Sequence, residues 1–144
     1  MGFTRRLFLS LSTTALGLLA EAVKSNPETS TTIRGKLRQR ESQPPALETT
    51  EHKLIILDGD EAAIKTLKDQ RLNGFDLEVA GHFTSPDHFL IDPNHARSAL
   101  VRKDGKLKMI TYWCDVCSIR SYEPGPCWCC QQETVLQLRD PDQP

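Results

Sequence analysis

The sequence predicts a mainly β fold: a small, partly closed β-barrel with one short helix and a cysteine-bearing hairpin near the C-terminus. Three observations carry this. Apolar residues come in short unbroken runs or at every second position, the two patterns of buried and half-buried strands. Asn73-Gly74 and Asp104-Gly105 are turn signals placed between such runs. All five cysteines fall between Cys114 and Cys130, as two C-x-x-C pairs bracketed by strand-like segments.

The composition bounds the function. The chain has 144 residues, 26% charged and 38% hydrophobic, one domain's worth of a globular composition. No apolar run reaches the ~18 residues of a membrane span. A formal net charge of −1 argues against a nucleic-acid binder held by phosphate charge, and 6% aromatics leaves few stacking groups.

In chain order, residues 1–22 read as an address. Arg5 and Arg6 form a positive start, Leu7 to Ala20 is an uncharged stretch of 14 residues, and Ala20-Glu21-Ala22 offers an A-x-A cleavage pattern. That is the layout of a secretory signal rather than of a short buried helix. Thr4-Arg5-Arg6-Leu7-Phe8-Leu9 resembles the twin-arginine signals of bacteria, which implies export of a folded protein to the periplasm. Membrane association is expected only through this segment if it is uncleaved. No cysteine lies near the exit, which excludes a lipoprotein.

Residues 23–50 are rich in Ser, Thr, Pro, Gln and Glu, with Val23, Ile33, Leu37 and Leu47 as their larger apolar groups. This composition predicts a disordered linker. Residues 51–144 then form the folded unit, with eleven Lys/Arg against fifteen Asp/Glu, a net −4.

Within it, Leu54-Ile55-Ile56-Leu57 reads as a buried strand, and Asp58 and Asp60 offer N-caps for a helix over Glu61–Lys68. Phe75, Leu77, Val79 and Gly81 alternate with Asp76, Glu78 and Ala80, a half-buried strand. Phe89-Leu90-Ile91 is another strand. Residues 99–103 and 107–113 flank Asp104-Gly105, which supplies the φ > 0 positions of a tight hairpin turn. Thr134–Leu138 is the last strand. Six short strands and a helix suggest an OB-like (oligosaccharide/oligonucleotide-binding-type) barrel by architecture alone, which does not give function.

The chemistry lies in Trp113–Gln132, which reads WCDVCSIRSYEPGPCWCCQQ. Cys114 and Cys117 form one C-x-x-C, Cys127 and Cys130 a second, with nine residues between the pairs. Each pair can form a tight knuckle, and two knuckles can present four thiolates to one tetrahedral Zn2+. Cys114, Cys117, Cys127 and Cys130 are therefore the expected metal ligands. Cys129 is left over, either as a packing residue or as an active thiol. Two disulfides are the rival in an oxidising compartment, but five cysteines at this spacing suit a metal better. Covalent haem is excluded because no C-x-x-C-H is present. Iron bound by similar knuckles is usually followed by Gly, absent here, and thiol-redox or Cu(I) handling through Cys129 is the alternative function. His82, His88 and His95, with Asp87 and Asp92 nearby, form a weaker candidate for a second metal or catalytic site.

The stretch from Lys53 onward resembles a group of exported bacterial proteins of unknown function. The likeness rests on Thr111–Arg120, TYWCDVCSIR, and Pro124–Gln131, PGPCWCCQ. It implies a zinc-ribbon-like module and export, and supplies no substrate or reaction. The expectation is an exported metal-binding module, more a binding protein than an enzyme, with an unidentified protein or small-molecule partner and no nucleic acid.

Overall fold

The computed structural model describes residues 29–143. The expected signal segment 1–22 lies outside the described residues. The strands are β1 (Thr31–Arg38), β2 (Ala46–Glu48), β3 (Leu54–Asp58), β4 (Asp76–Ser85), β5 (His88–Ile91), β6 (Ala99–Lys103), β7 (Lys106–Cys114), β8 (Ile119–Ser121) and β9 (Val135–Arg139). Helix α1 (Glu61–Leu67) follows β3, a 3-10 turn spans Gln70–Leu72, and a single helical turn, α2 (His95–Ser98), precedes β6.

The first five strands close on themselves. β1 pairs β2, β2 pairs β3, β3 runs parallel to β5, β5 pairs β4, and β4 returns to β1. The ring is closed rather than partly closed. Closure removes free strand edges from the barrel. The order, the parallel β3–β5 pair and the helix between β3 and β4 agree with the OB-like expectation. β1 must bend to serve two neighbours, and Lys36 is opposite both Glu48 and Asp76. Gly35 permits this close approach, because a Cβ there would fall on the Glu48 carbonyl and the Leu47 side chain.

This corrects the expectation of a disordered linker over 23–50 for residues 29–50, the part of it that lies within the described residues. Leu37 and Leu47 are opposite each other and are 0% exposed. Both belong to the core with Leu57, Leu77, Val79 and Phe89. The loop that follows β1 is tied down as well: Gln39 Nε2 donates to the Leu67 and Asp69 carbonyls at 2.6 and 2.7 Å. Two buried leucines and a full set of ladder hydrogen bonds outweigh the polar composition, since a strand needs only every second residue apolar.

The other elements follow their local chemistry. Asp60 caps α1, accepting the Ala63 N–H at 2.8 Å. Asp104 and Gly105 adopt φ of 51° and 74°, the geometry of a tight hairpin turn between β6 and β7. β6 lies along Leu77–Val79 of β4 and carries β7. β7 is shared between two units: its first half pairs β6, and its second half pairs β8 and β9 in the cysteine hairpin.

A buried polar joint locks the hairpin to the barrel. Tyr112 on β7 is fully buried, and its hydroxyl donates to Asp69 Oδ2 at 2.9 Å. Asp69 also accepts the Arg71 backbone N–H at 3.1 Å, and the Arg71 guanidinium, 2.9 Å away, pairs with it. That guanidinium lies over the Tyr112 ring, 5.1 Å from its centroid, and donates to the Thr134 carbonyl at 3.0 Å. Burial pushes the Asp69 carboxyl up, but hydrogen bonds from Arg71 and Tyr112 outweigh it and hold the pKa below the ordinary value. Burial, together with the hydrogen bond to Asp69, keeps the Tyr112 phenol protonated and donating. A second tie runs from His95 Nε2 to the Tyr122 carbonyl at 2.8 Å.

Candidate metal centre

Each C-x-x-C folds the same way. In the first knuckle the Cys117 N–H donates to Cys114 Sγ at 3.4 Å, and the Ser118 N–H closes the turn on the Cys114 carbonyl at 2.9 Å. In the second, the Gln131 N–H closes the turn on the Cys127 carbonyl at 2.8 Å. Both turns end in the left-handed region, with φ of 54° at Ser118 and 61° at Gln131. The two knuckles are carried by different strands. β7 runs into Cys114, and β9 leaves shortly after Cys130, with a Pro126–Glu133 bridge between. Gly125, at φ 132°, turns the chain ahead of Cys127, and Thr134 Oγ1 donates to its carbonyl at 2.7 Å.

The β7–β9 pairing brings the knuckles face to face. The four Sγ atoms of Cys114, Cys117, Cys127 and Cys130 all lie within 4.8 Å of one another, and Cys114 and Cys130 Sγ are 3.5 Å apart. A tetrahedron with bonds of ~2.3 Å has edges of about 3.8 Å, so the cluster is sized for one ion. The 3.5 Å separation is well beyond a disulfide of ~2.05 Å. All five thiols are free. Cys114 and Cys127 are buried, Cys117 and Cys130 half-buried, and Cys129 is exposed.

Electrostatics within the cluster are divided. Backbone N–H groups from Cys130 and Cys129 lower the Cys127 pKa to about 7. Hydrogen bonds from the Cys129 and Cys130 thiols, together with burial, push Cys117 up. Four thiols crowded together cannot all ionise without a cation, and a metal supplies the charge that stabilises the thiolates. The donor set thus fits a thiophilic ion held by four sulfurs.

The missing glycines do not discriminate against iron, because Ser118 and Gln131 adopt the left-handed conformation without them. That conformation costs a non-Gly residue ~1–2 kcal/mol, partly offset by the entropy a glycine loses on folding. Ser118→Gly and Gln131→Gly are therefore each expected to stabilise the folded chain by about 0.5–1 kcal/mol, read as a higher midpoint in denaturant.

The histidines do not converge. His95 is spent on Tyr122, and among the described residues the cysteine cluster is the one group of three or more metal donors within reach of a single ion. Ser85, Asp87 and His88 do meet in the β4–β5 turn, yet Ser85 Oγ and Asp87 Oδ1 both sit 3.0 Å from the same His88 nitrogen, Nδ1. A nucleophile–base–orienter relay uses opposite ring nitrogens, so this trio is a turn network.

Reading the sequence missed a cleft of about 440 Å3 on the barrel. Pro44, Ala46, Leu54 and Ile56 give it apolar walls, and Arg38, Arg40, Gln43 and Asp87 give it a polar rim. Five of the eight belong to the stretch read as linker. The available signal was the alternation of Ile33, Gly35 and Leu37 with Arg34, Lys36 and Arg38.

Comparison with protein-family models, curated proteins and solved structures finds no match to this chain.

Proposed function

We propose that this chain is an exported metal-binding module, in which a structural Zn2+ held by Cys114, Cys117, Cys127 and Cys130 braces a hairpin against a β-barrel that binds a partner. The observation that carries the metal is the convergence of four thiols from two matching knuckles. Zn2+ is the metal proposed because closed four-thiolate zinc sites are structural, which matches a cluster that braces a hairpin. The cleft of about 440 Å3, apolar within and charged at its rim, supports a binding role toward a protein or small-molecule partner. Export rests on Arg5-Arg6, the uncharged stretch after them and the A-x-A exit. Twin-arginine export is compatible with thiolate chemistry, because the metal can be loaded in a reducing cytoplasm before translocation.

Metal and free-thiol analysis of protein recovered from fractionated cells tests this reading. One zinc and one titratable thiol per chain, in material from outside the inner membrane, is the expected result. Two disulfides without metal, or bound copper, would contradict the zinc assignment. Recovery only from the cytoplasm would contradict export.

A further inference from the structure

The outer face of the barrel carries an apolar strip that the core does not use. Leu47, Ile55 and Leu57 point inward and are buried, so Ala46, Leu54 and Ile56 on the same two strands point outward. Outward positions of such strands face water and are ordinarily polar. Here they form the floor of the cleft of about 440 Å3, with Pro44 beside them and Leu54 38% exposed. Strand register places the polar groups around that floor. Arg38, Ala46, Ile56 and His88 lie in one row across β1, β2, β3 and β5, with Asp87 just before His88. The cleft therefore has arginines on its β1 side and a carboxylate on its β5 side.

These charges are not equally available. Arg38 is paired with Glu48, which also meets His52 Nδ1 at 2.9 Å. Asp87 accepts the Ser85 hydroxyl at 2.8 Å and lies 3.0 Å from His88 Nδ1. The exposed Arg40 side chain has no hydrogen bond or ion pair among the described residues. Its backbone, by contrast, is fixed. The Gln43 N–H donates to the Arg40 carbonyl at 3.2 Å, Gln39 is tied to the Leu67 and Asp69 carbonyls, and the Pro45 carbonyl accepts the Leu57 N–H at 2.9 Å. On the far side of the arginines a second hollow of about 310 Å3 is lined by Gln39, Glu48, His52 and Asn73, so the apolar surface lies on one side of Arg40. A tethered loop thus presents one free guanidinium at the end of an apolar floor.

We propose that the cleft binds an amphiphilic monocarboxylate, with its head group on the Arg40 guanidinium and its hydrocarbon body over Ala46, Leu54 and Ile56. This deepens the binding role given to the cleft above and rests on it. The planar guanidinium fork matches a carboxylate in shape and charge. One free cation balances one negative charge, whereas a phosphate dianion calls for a second, and Arg38 is already neutralised by Glu48. Asp87 repels an anion at the opposite end and so sets which way the ligand lies. The volume falls in the range of roughly 300–1,000 Å3 that holds small molecules.

The test titrates isotope-labelled protein with octanoate, octanamide, octylammonium and acetate, read by backbone amide chemical shifts. Octanoate should shift the amides of Arg40, Ala46, Leu54 and Ile56 saturably and bind about tenfold or more tighter than the two other octyl probes, because its head group alone gains a charge-assisted pair. Acetate should be as weak, since it has no apolar body to bury. Arg40→Gln should weaken octanoate about tenfold and leave octanamide unchanged. Leu54→Gln should weaken both. Both residues are exposed, so both variants are expected to fold, and the same spectra check it. Octanamide or octylammonium binding at these amides as tightly as octanoate would overturn the carboxylate assignment and leave the cleft standing as a binding site. Octanoate binding that shifts other amides, or that Arg40→Gln does not weaken, would overturn the placement. No shift at the cleft with any octyl probe would overturn the proposal and the small-molecule reading of the cleft with it.

Discussion

Serine at Cys114, Cys117, Cys127 or Cys130 is expected to abolish stoichiometric metal and to unfold the hairpin from Cys114 to Cys130. Between the knuckles little else holds the hairpin beyond the His95–Tyr122 tie. β8 has three residues, the segment between the knuckles is largely turns, and Val116, Tyr122 and Trp128 are exposed. Metal binding is worth roughly 10–16 kcal/mol in isolated zinc-finger peptides at neutral pH, far more than such a segment gains by packing. Serine at the buried Cys114 and Cys127 should be worst, since burial there leaves the remaining thiols and the new hydroxyl without water to replace the ion. Serine at Cys129 should leave the metal in place. The check is metal stoichiometry on all five single variants, with circular dichroism to follow the barrel. The barrel should keep its own transition, because its ring of strands closes without the hairpin. Loss of metal in Cys129→Ser with retention in Cys127→Ser or Cys130→Ser would reverse the ligand assignment.

Deletion of residues 31–48 should eliminate the cooperative thermal transition altogether. It removes β1 and β2, two of the five strands of the closed ring, and leaves β3 and β4 with open edges. Domains of this size are stable by only ~5–15 kcal/mol. The milder variant Leu37→Ala should cost about 2–5 kcal/mol, as for other fully buried leucines. In a domain of roughly 100 residues this lowers the midpoint by about 10–20 °C. An unchanged transition in the deletion would show that β1 and β2 are dispensable and that composition describes this segment better than its burial does.

The strands that could be read from the sequence share one property: each carries its fold signal locally. Leu54–Leu57 is an unbroken apolar run, Phe75–Gly81 alternates, and Asp104-Gly105 announces its own hairpin. Helix α1 was legible through its cap at Asp60. β1 and β2 were not read because each contributes a single fully buried leucine, and the charged residues of β1 point outward between its inward ones. β1 also draws its stability from a partner far along the chain, Ile33 lying opposite Val79 of β4. The cysteine cluster was legible because two C-x-x-C pairs at this spacing can bring four thiols to one point. The joint of Asp69, Arg71 and Tyr112 beside the cluster was not, because it links residues 43 positions apart and no local pattern marks it. The exposure of Cys129, outside the cluster, depended on the way the two knuckles fold.

The central claim is that four sulfurs hold one zinc between two knuckles. Zinc-edge X-ray absorption on the purified protein measures this directly. The proposal predicts a single shell of four sulfurs at ~2.3 Å with no nitrogen or oxygen donor. A shell with nitrogen or oxygen at ~2.0–2.1 Å, or fewer than four sulfurs, would contradict it.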